Sequence, residues 1–157
     1  EWAPVDLAAV AAQVRHELQP IAGAVTIELD VPGEFLVDGD ERYLHRVLQN
    51  LVANGTRYAR SRLLVRVREN SGDAELVVED DGPGIPETDR ERVFKPFARL
   101  DDSRHRASGG YGLGLSIVQR IAEWHGGRVW VDTASLGGAA FHLRWPRRRP
   151  ASHVLSR

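Results

Sequence analysis

The 157 residues include no cysteine and no methionine. The first absence excludes disulfide frameworks, thiolate zinc sites, iron–sulfur clusters and every cysteine nucleophile, and makes a reducing compartment the natural setting. The second, with Glu1 at the start, points to a piece of a longer protein. No apolar run approaches the roughly 18 residues needed to cross a bilayer, and no signal-peptide pattern is present, so no direct membrane contact is expected of this stretch. An excess of charge of one sign is also lacking: 21 basic side chains face 22 acidic ones, for a net charge of -1. Phosphate-backbone binding needs a basic surplus, so no nucleic-acid partner is expected. Lysine is nearly absent. Lys95 stands alone and is followed by Pro96, which rules out the Gly-Lys-Ser/Thr loop of P-loop enzymes.

What is present reads as one soluble domain, with 42% hydrophobic and 27% charged residues and no internal repeat or linker. Leu7, Val10, Ala11, Val14 and Leu18 recur at helical spacing behind a capping Asp6, which predicts a helix from about residue 6 to 19. Alternation over Val25 to Val31, ended by Pro32-Gly33, predicts a strand, with a short second one at Phe35 to Val37. Leu44, Val47, Leu48 and Leu51 form the stripe of a helix from Asp40 to Tyr58. Leu63 to Arg68 and Glu75 to Asp80 alternate on either side of Asn70-Ser71-Gly72-Asp73 and predict a hairpin. A brief helix near Glu87 to Val93 precedes residues 98–112, which have almost no hydrophobic periodicity and read as a long functional loop. A helix from Leu115 to Ala122, two strands at Val129 to Asp132 and Ala139 to Trp145, and a basic, flexible tail over 147–157 complete the reading. The order of elements predicts an α+β domain over 1–146 with helices on one face of a sheet.

Three segments carry possible chemistry. On the helix before Tyr58, Asn50 and Asn54 are four apart and Arg57 follows one turn later, within about 60° of arc. Asn is a poor helix former, and half-buried amides offer oxygen to a hard cation and donors to an anion; tolerated surface residues are the plain alternative. Asp80-Asp81-Gly82-Pro83-Gly84-Ile85-Pro86 places carboxylates at a strand end before two glycines that allow close approach, although an ordinary reversal would use similar residues. Gly109 to Leu115 is a glycine-rich turn opening a helix, which is an anion site by its unpaired N–H groups and dipole. Its alternate glycines do not fit the dinucleotide fingerprint, and His45-Arg46-Val47 does not fit a protein-kinase catalytic loop. The six histidines lack zinc-ligand spacing.

Taken in order, the Asn helix, the Asp80 loop, Phe94-Lys95-Pro96-Phe97 and the Gly110-to-Leu115 turn resemble the ATP-binding catalytic domain of bacterial sensor histidine kinases, within the wider group of topoisomerase, Hsp90 and mismatch-repair ATPases. The resemblance covers about residues 6 to 146. It implies a two-layer α/β sandwich, the Bergerat ATP-binding fold, with a mixed, mostly antiparallel sheet. It implies ATP and Mg2+ as cofactors, with Asn54 holding the metal, Arg57 meeting phosphate oxygens and Tyr58 beside the adenine. Gly55 replaces the usual Ala, and a local weakening of the helix is expected from it. Asn50 stands where hydrolytic relatives carry a glutamate base, and an amide takes no proton at neutral pH, which suits phosphoryl transfer better than hydrolysis. Asp80 would accept the adenine amino group, with Asp81 its exposed neighbour and Gly82, Gly84 and Ile85 around the nucleotide. Phe94 and Phe97 would anchor a lid over 98–109 in which Arg104 or Arg106 reaches the terminal phosphate, and Gly110, Tyr111, Gly112, Leu113, Gly114 and Leu115 would line the phosphates.

The resemblance further implies an acceptor histidine on a separate dimerisation domain of the same parent, a response regulator downstream, and a cytoplasmic location as part of an inner-membrane sensor. His16-Glu17-Leu18-Gln19-Pro20 looks like an acceptor segment, but its proline comes one residue early and it lies too near Asn50, so His16 is expected to face solvent. The alternatives are a serine kinase of the anti-sigma type and a module that binds adenine nucleotide without transferring anything.

Overall fold

The computed structural model describes residues 1–97 and 114–149. The first strand, β1 (Ala3–Asp6), runs into helix α1 (Leu7–Leu18), where the Asp6 carboxylate caps the first turn by accepting the Ala8 N–H at 3.1 Å. Strands β2 (Thr26–Asp30) and β3 (Leu36–Gly39) follow, then the long helix α2 (Glu41–Tyr58), capped by Asp40 through the Arg42 N–H. The hairpin β4 (Arg62–Asn70) and β5 (Asp73–Asp80) turns through Ser71 and Gly72, both at positive φ as a tight hairpin requires. After the second described segment opens with α3 (Gly114–Trp124), β6 (Arg128–Thr133) and β7 (Ala139–Pro146) form a second hairpin.

Five strands make one sheet in the order β2-β4-β5-β7-β6; only the β2–β4 pair is parallel. The three α-helices of the described residues cover the same face of this sheet, because alternation along each strand puts its apolar residues there. Leu63, Val65, Leu76, Val78, Phe141, Leu143 and Trp145 meet Leu44, Val47, Leu48 and Leu51 of α2, Val10 and Val14 of α1, and Val118 and Ile121 of α3 in one continuous core. The expected two-layer α+β architecture is therefore observed. Among the described residues no helix is long and apolar enough to cross a membrane.

Three expectations need correction. The helix expected near Glu87 to Val93 is two separate 3₁₀ turns, Glu87–Asp89 and Arg92–Phe94. Only Val93 and Phe94 there are buried, too few to stabilise a nucleated α-helix. Strand β1 was not expected. It pairs antiparallel with β3 as a two-stranded ribbon in which Val5 alone of β1 is buried. That ribbon also changes the tail. Arg147, expected to begin a flexible end, donates its N–H to the Gly72 carbonyl at 3.1 Å, accepts the Asp38 N–H at 2.8 Å and pairs with Glu69 at 2.6 Å. The Arg149 N–H donates to the Asp38 carboxylate at 2.6 Å and its guanidinium lies 4.8 Å from the Trp2 ring centroid. The ordered chain thus runs on to at least Arg149 because the ribbon's free edge accepts it, and residues 150–157 lie outside the described ones.

Candidate functional site

Helix α2 turns its apolar stripe to the sheet, which leaves Asn50 and Asn54 half-buried along the stripe's flank and Arg57 exposed. Asn50 donates its amide N–H to the Gly114 carbonyl at 3.3 Å, so the first residue of α3 rests on the Asn helix. Leu115 packs partly against the core just beyond. Neither Asn54 nor Arg57 has a side-chain hydrogen bond or ion pair among the described residues. Two expected anchors differ: Phe94 is buried edge-on to Phe141 with ring centroids 6.0 Å apart, whereas Phe97 is 69% exposed. The expected site residues Gly110, Tyr111, Gly112 and Leu113, and the lid with Arg104 and Arg106, lie outside the described residues.

At the C-terminal end of α2, the Tyr58 carbonyl touches Gly82 so closely that a Cβ there would lie 2.2 Å from it. Glycine is required at this contact. It joins the helix end to the Asp80 loop, and Gly84, at φ 77°, gives the loop its reversal. Ile85 packs on the core, and its carbonyl accepts from Arg90, whose guanidinium also reaches Thr133 at 3.0 Å.

Asp80 is 3% exposed and points to the helix side of β5. One of its oxygens, Oδ1, accepts the Gly82 N–H at 2.8 Å and the Ala139 N–H at 3.3 Å. Its other oxygen has no partner among the described residues. Burial pushes its carboxyl above the usual range, and the Gly82 and Ala139 N–H groups only partly offset that. The second oxygen can still accept a hydrogen bond from a donor outside the described residues.

Asp81 departs from expectation. It is half-buried and clamps the α2–β4 junction, accepting the Arg60 N–H at 2.7 Å, the Ser61 N–H at 3.0 Å and the Ser61 hydroxyl at 2.8 Å. Burial alone would raise its carboxyl, but these donors hold it well below the usual carboxylate range. Gly55, where a local weakening of the helix is expected, is also tightly packed. A Cβ at that position would lie 2.3 Å from Leu63 Cδ1, so the missing methyl is what lets α2 lie down on β4. His16 is exposed on α1, as expected. Gly138 and Ala139, at the entry to β7, also hold Asp80 although no spacing singled them out; the Gly137-Gly138 pair before a strand is the available signal.

Residues 39–149 match the family model described as histidine kinase-, DNA gyrase B- and HSP90-like ATPase. The chain is 48% identical over 128 residues to the sensor protein RstB of Escherichia coli K12, covering 78% of this chain and 30% of that protein. It is 38% identical over 144 residues to the sensor-like histidine kinase SenX3 of Mycolicibacterium smegmatis, covering 88% of this chain and 37% of SenX3. The chain thus spans about a third of the length of these relatives. Among solved structures, the mycobacterial sensor histidine kinase MprB superposes with a TM-score of 0.82 at 32% identity, over 96% of this chain and 100% of that one. Full-length ShkA, solved in complex with AMPPNP, gives 0.80 at 29% identity, over 96% of this chain and 32% of its own. The free carboxylate oxygen at the end of β5 and the Asn helix beside it therefore sit in a known frame, and the chain belongs to the histidine kinase-, DNA gyrase B- and HSP90-like ATPase family, as a domain of the sensor-histidine-kinase type.

Proposed function

We propose that this domain binds ATP with Mg2+ and delivers the γ-phosphoryl group to a histidine on a helical dimerisation domain outside these 157 residues. The observation that carries the reading is Asp80, a residue 3% exposed whose second carboxylate oxygen no described residue meets, beside a glycine whose Cβ would strike the Tyr58 carbonyl. In that reading Asp80 accepts the amino N–H of adenine, a donor that guanine replaces with a carbonyl. Tyr58, Gly82, Gly84 and Ile85 shape the base pocket. Asn50 and Asn54 face the phosphates, Arg57 offsets their charge, and the N–H groups opening α3 at Gly114 and Leu115 receive negative charge along the helix dipole. The expected stretch from Gly110 to Leu113 would extend that anion site.

Among the described residues no cluster of three or more Asp, Glu or His side chains could hold a metal ion. A lone neutral oxygen at Asn54 suits Mg2+, which keeps waters and takes its charged ligands from a nucleotide. When bound, the ion would neutralise phosphate charge during transfer. The protein's own contribution is positioning and electrostatics, which is how phosphoryl transfer is catalysed generally. Asn50 is held to the Gly114 carbonyl and cannot serve as a base for water, which supports transfer to a protein acceptor over hydrolysis.

The named relatives are sensor kinases, which favours a histidine acceptor over the serine alternative and supports a downstream response regulator and a cytoplasmic position within a membrane-sensor parent. The tested separation is at Asn54. Titrating ADP by calorimetry with and without Mg2+, Asn54→Ala should abolish most of the gain that Mg2+ gives the parent chain while leaving metal-free binding within about twofold, a change under roughly 0.5 kcal/mol. Equal losses in both titrations would make Asn54 a structural residue and refute its assignment.

A further inference from the structure

Glu79 precedes Asp80 on β5, so the two carboxylates point to opposite faces of the sheet. Among the described residues the face Glu79 enters carries no helix, and its other charged groups, such as Arg66, Arg68, Glu75 and Arg144, are at least partly exposed. Glu79 is only 3% exposed. The turn between β6 and β7 covers it: Oε1 accepts the Ser135 hydroxyl at 2.5 Å and the Leu136 N–H at 3.2 Å, and Oε2 lies 3.6 Å from the Arg66 guanidinium. Beside it Val77, Ala134 and Ala140 form a small apolar cluster that seats the start of the same turn. Burying a carboxylate is expensive, and an apolar residue would cover this face at less cost.

The far end of that turn is welded to Asp80. The turn is closed by the Ala134 N–H to the Gly138 carbonyl at 2.8 Å and the Gly137 N–H to the Ala134 carbonyl at 3.0 Å. From it, the Gly138 N–H donates to the Asp80 carbonyl at 3.0 Å and the Ala139 N–H to Asp80 Oδ1 at 3.3 Å. The approach is so close that a Cβ on Gly138 would lie 2.1 Å from Asp80 Oδ1 and 2.6 Å from the Gly82 nitrogen. Any movement of the turn therefore moves the Asp80 carboxylate.

We propose that Glu79 is a positioning residue for purine selectivity: by holding Ser135 and Leu136 it fixes the β6–β7 turn, which in turn aims the free oxygen of Asp80. The inference rests on the reading that Asp80 accepts the adenine amino group. Asp80 makes the contact, and Glu79, on the opposite face and one residue away, sets its direction through the turn.

The test compares ADP and GDP binding by calorimetry in the full chain and four variants. Asp80→Asn tests the underlying reading and should collapse the preference for ADP. Glu79→Ala and Ser135→Ala should each lower the ADP-to-GDP affinity ratio by roughly three- to tenfold, the effect of misaligning one hydrogen bond, with GDP affinity little changed. Glu79→Gln keeps an acceptor for Ser135 and Leu136 and should retain the ratio of the parent chain. A thermal melt of each variant separates the effect from general loosening, and Ser135→Ala, which removes only one hydroxyl, decides the matter should Glu79→Ala not fold. An unchanged ratio in Ser135→Ala and in folded Glu79→Ala, alongside a collapsed one in Asp80→Asn, would make Glu79 purely structural and overturn the proposal. An unchanged ratio in Asp80→Asn would instead refute the adenine reading itself, and the proposal with it.

Discussion

Replacing Asp80 by Asn should move affinity and stability in opposite directions. The amide oxygen can keep both bonds that Oδ1 now accepts, from Gly82 at 2.8 Å and Ala139 at 3.3 Å. That orientation places the new NH2 where the free oxygen stood, so a donor meets the adenine amino group. A hydrogen bond to a charged acceptor contributes about 1.5–3 kcal/mol, so the Kd for ADP should rise roughly 10- to 150-fold. The unliganded fold should respond otherwise. Burial raises the Asp80 carboxyl in the folded state above its ordinary 3.8, so the folded chain binds that proton more tightly than the unfolded one. Stability from this group therefore falls as pH rises from 3.8 through the raised value, and the deficit persists at neutral pH. An amide is neutral throughout and removes that deficit. Calorimetric titration with ADP and a thermal melt at neutral pH, on the same sample, should show weaker binding with an equal or higher Tm. Unchanged ADP affinity in a folded variant would refute the assignment of Asp80.

Gly55→Ala gains about 1 kcal/mol of helix propensity but overpacks against the fully buried Leu63 for roughly 1–3 kcal/mol, so Tm should drop by up to about 8 °C. A higher Tm would show that the α2–β4 contact has slack. His125 is 2% exposed, with Nδ1 2.9 Å from the Ile121 carbonyl and Nε2 accepting the Asp40 N–H at 3.3 Å, which describes a neutral ring protonated at Nδ1. Burial depresses its pKa below 6.5, only partly opposed by the Ile121 carbonyl and the Asp40 charge. The folded state thus resists protonation, and denaturant-measured stability should decline as pH drops below 6.5 toward the depressed value. A His125 imidazole titrating above 6.5 by NMR would contradict this.

Local patterns revealed the elements whose signals are local. The α2 stripe of Leu44, Val47, Leu48 and Leu51, the Asn70-to-Asp73 turn and the Asp6 and Asp40 caps are all set by neighbours within a turn or two, and each appears where its pattern places it. The motifs of the candidate site were legible for the same reason. What connects them was not. Asp80 is held by Ala139 and Asn50 by Gly114, pairs 59 and 64 residues apart, and no local spacing encodes such meetings. Strand β1 escaped because four residues with one buried side chain carry no periodicity. Arg147 and Arg149 read as a solvated cluster because the edge that accepts them is Leu36 and Asp38 of β3, 111 residues away in sequence. Gly55 read as a defect because its value lies in the volume Leu63 occupies. Glu79 drew no notice because an acidic residue on an alternating strand is ordinarily solvated; only the turn folded over it makes it buried.

Phosphoryl transfer from ATP to a histidine outside these 157 residues, as proposed, can be measured directly. The direct measurement incubates the chain with γ-labelled ATP and Mg2+, alone and with the separately purified dimerisation segment of its parent protein. The expected result is no label on the chain alone, no effect of His16→Ala, and acid-labile phosphohistidine on the added segment. Acid-labile label on the chain itself that disappears in His16→Ala, or acid-stable phosphoserine on the added protein, would contradict it.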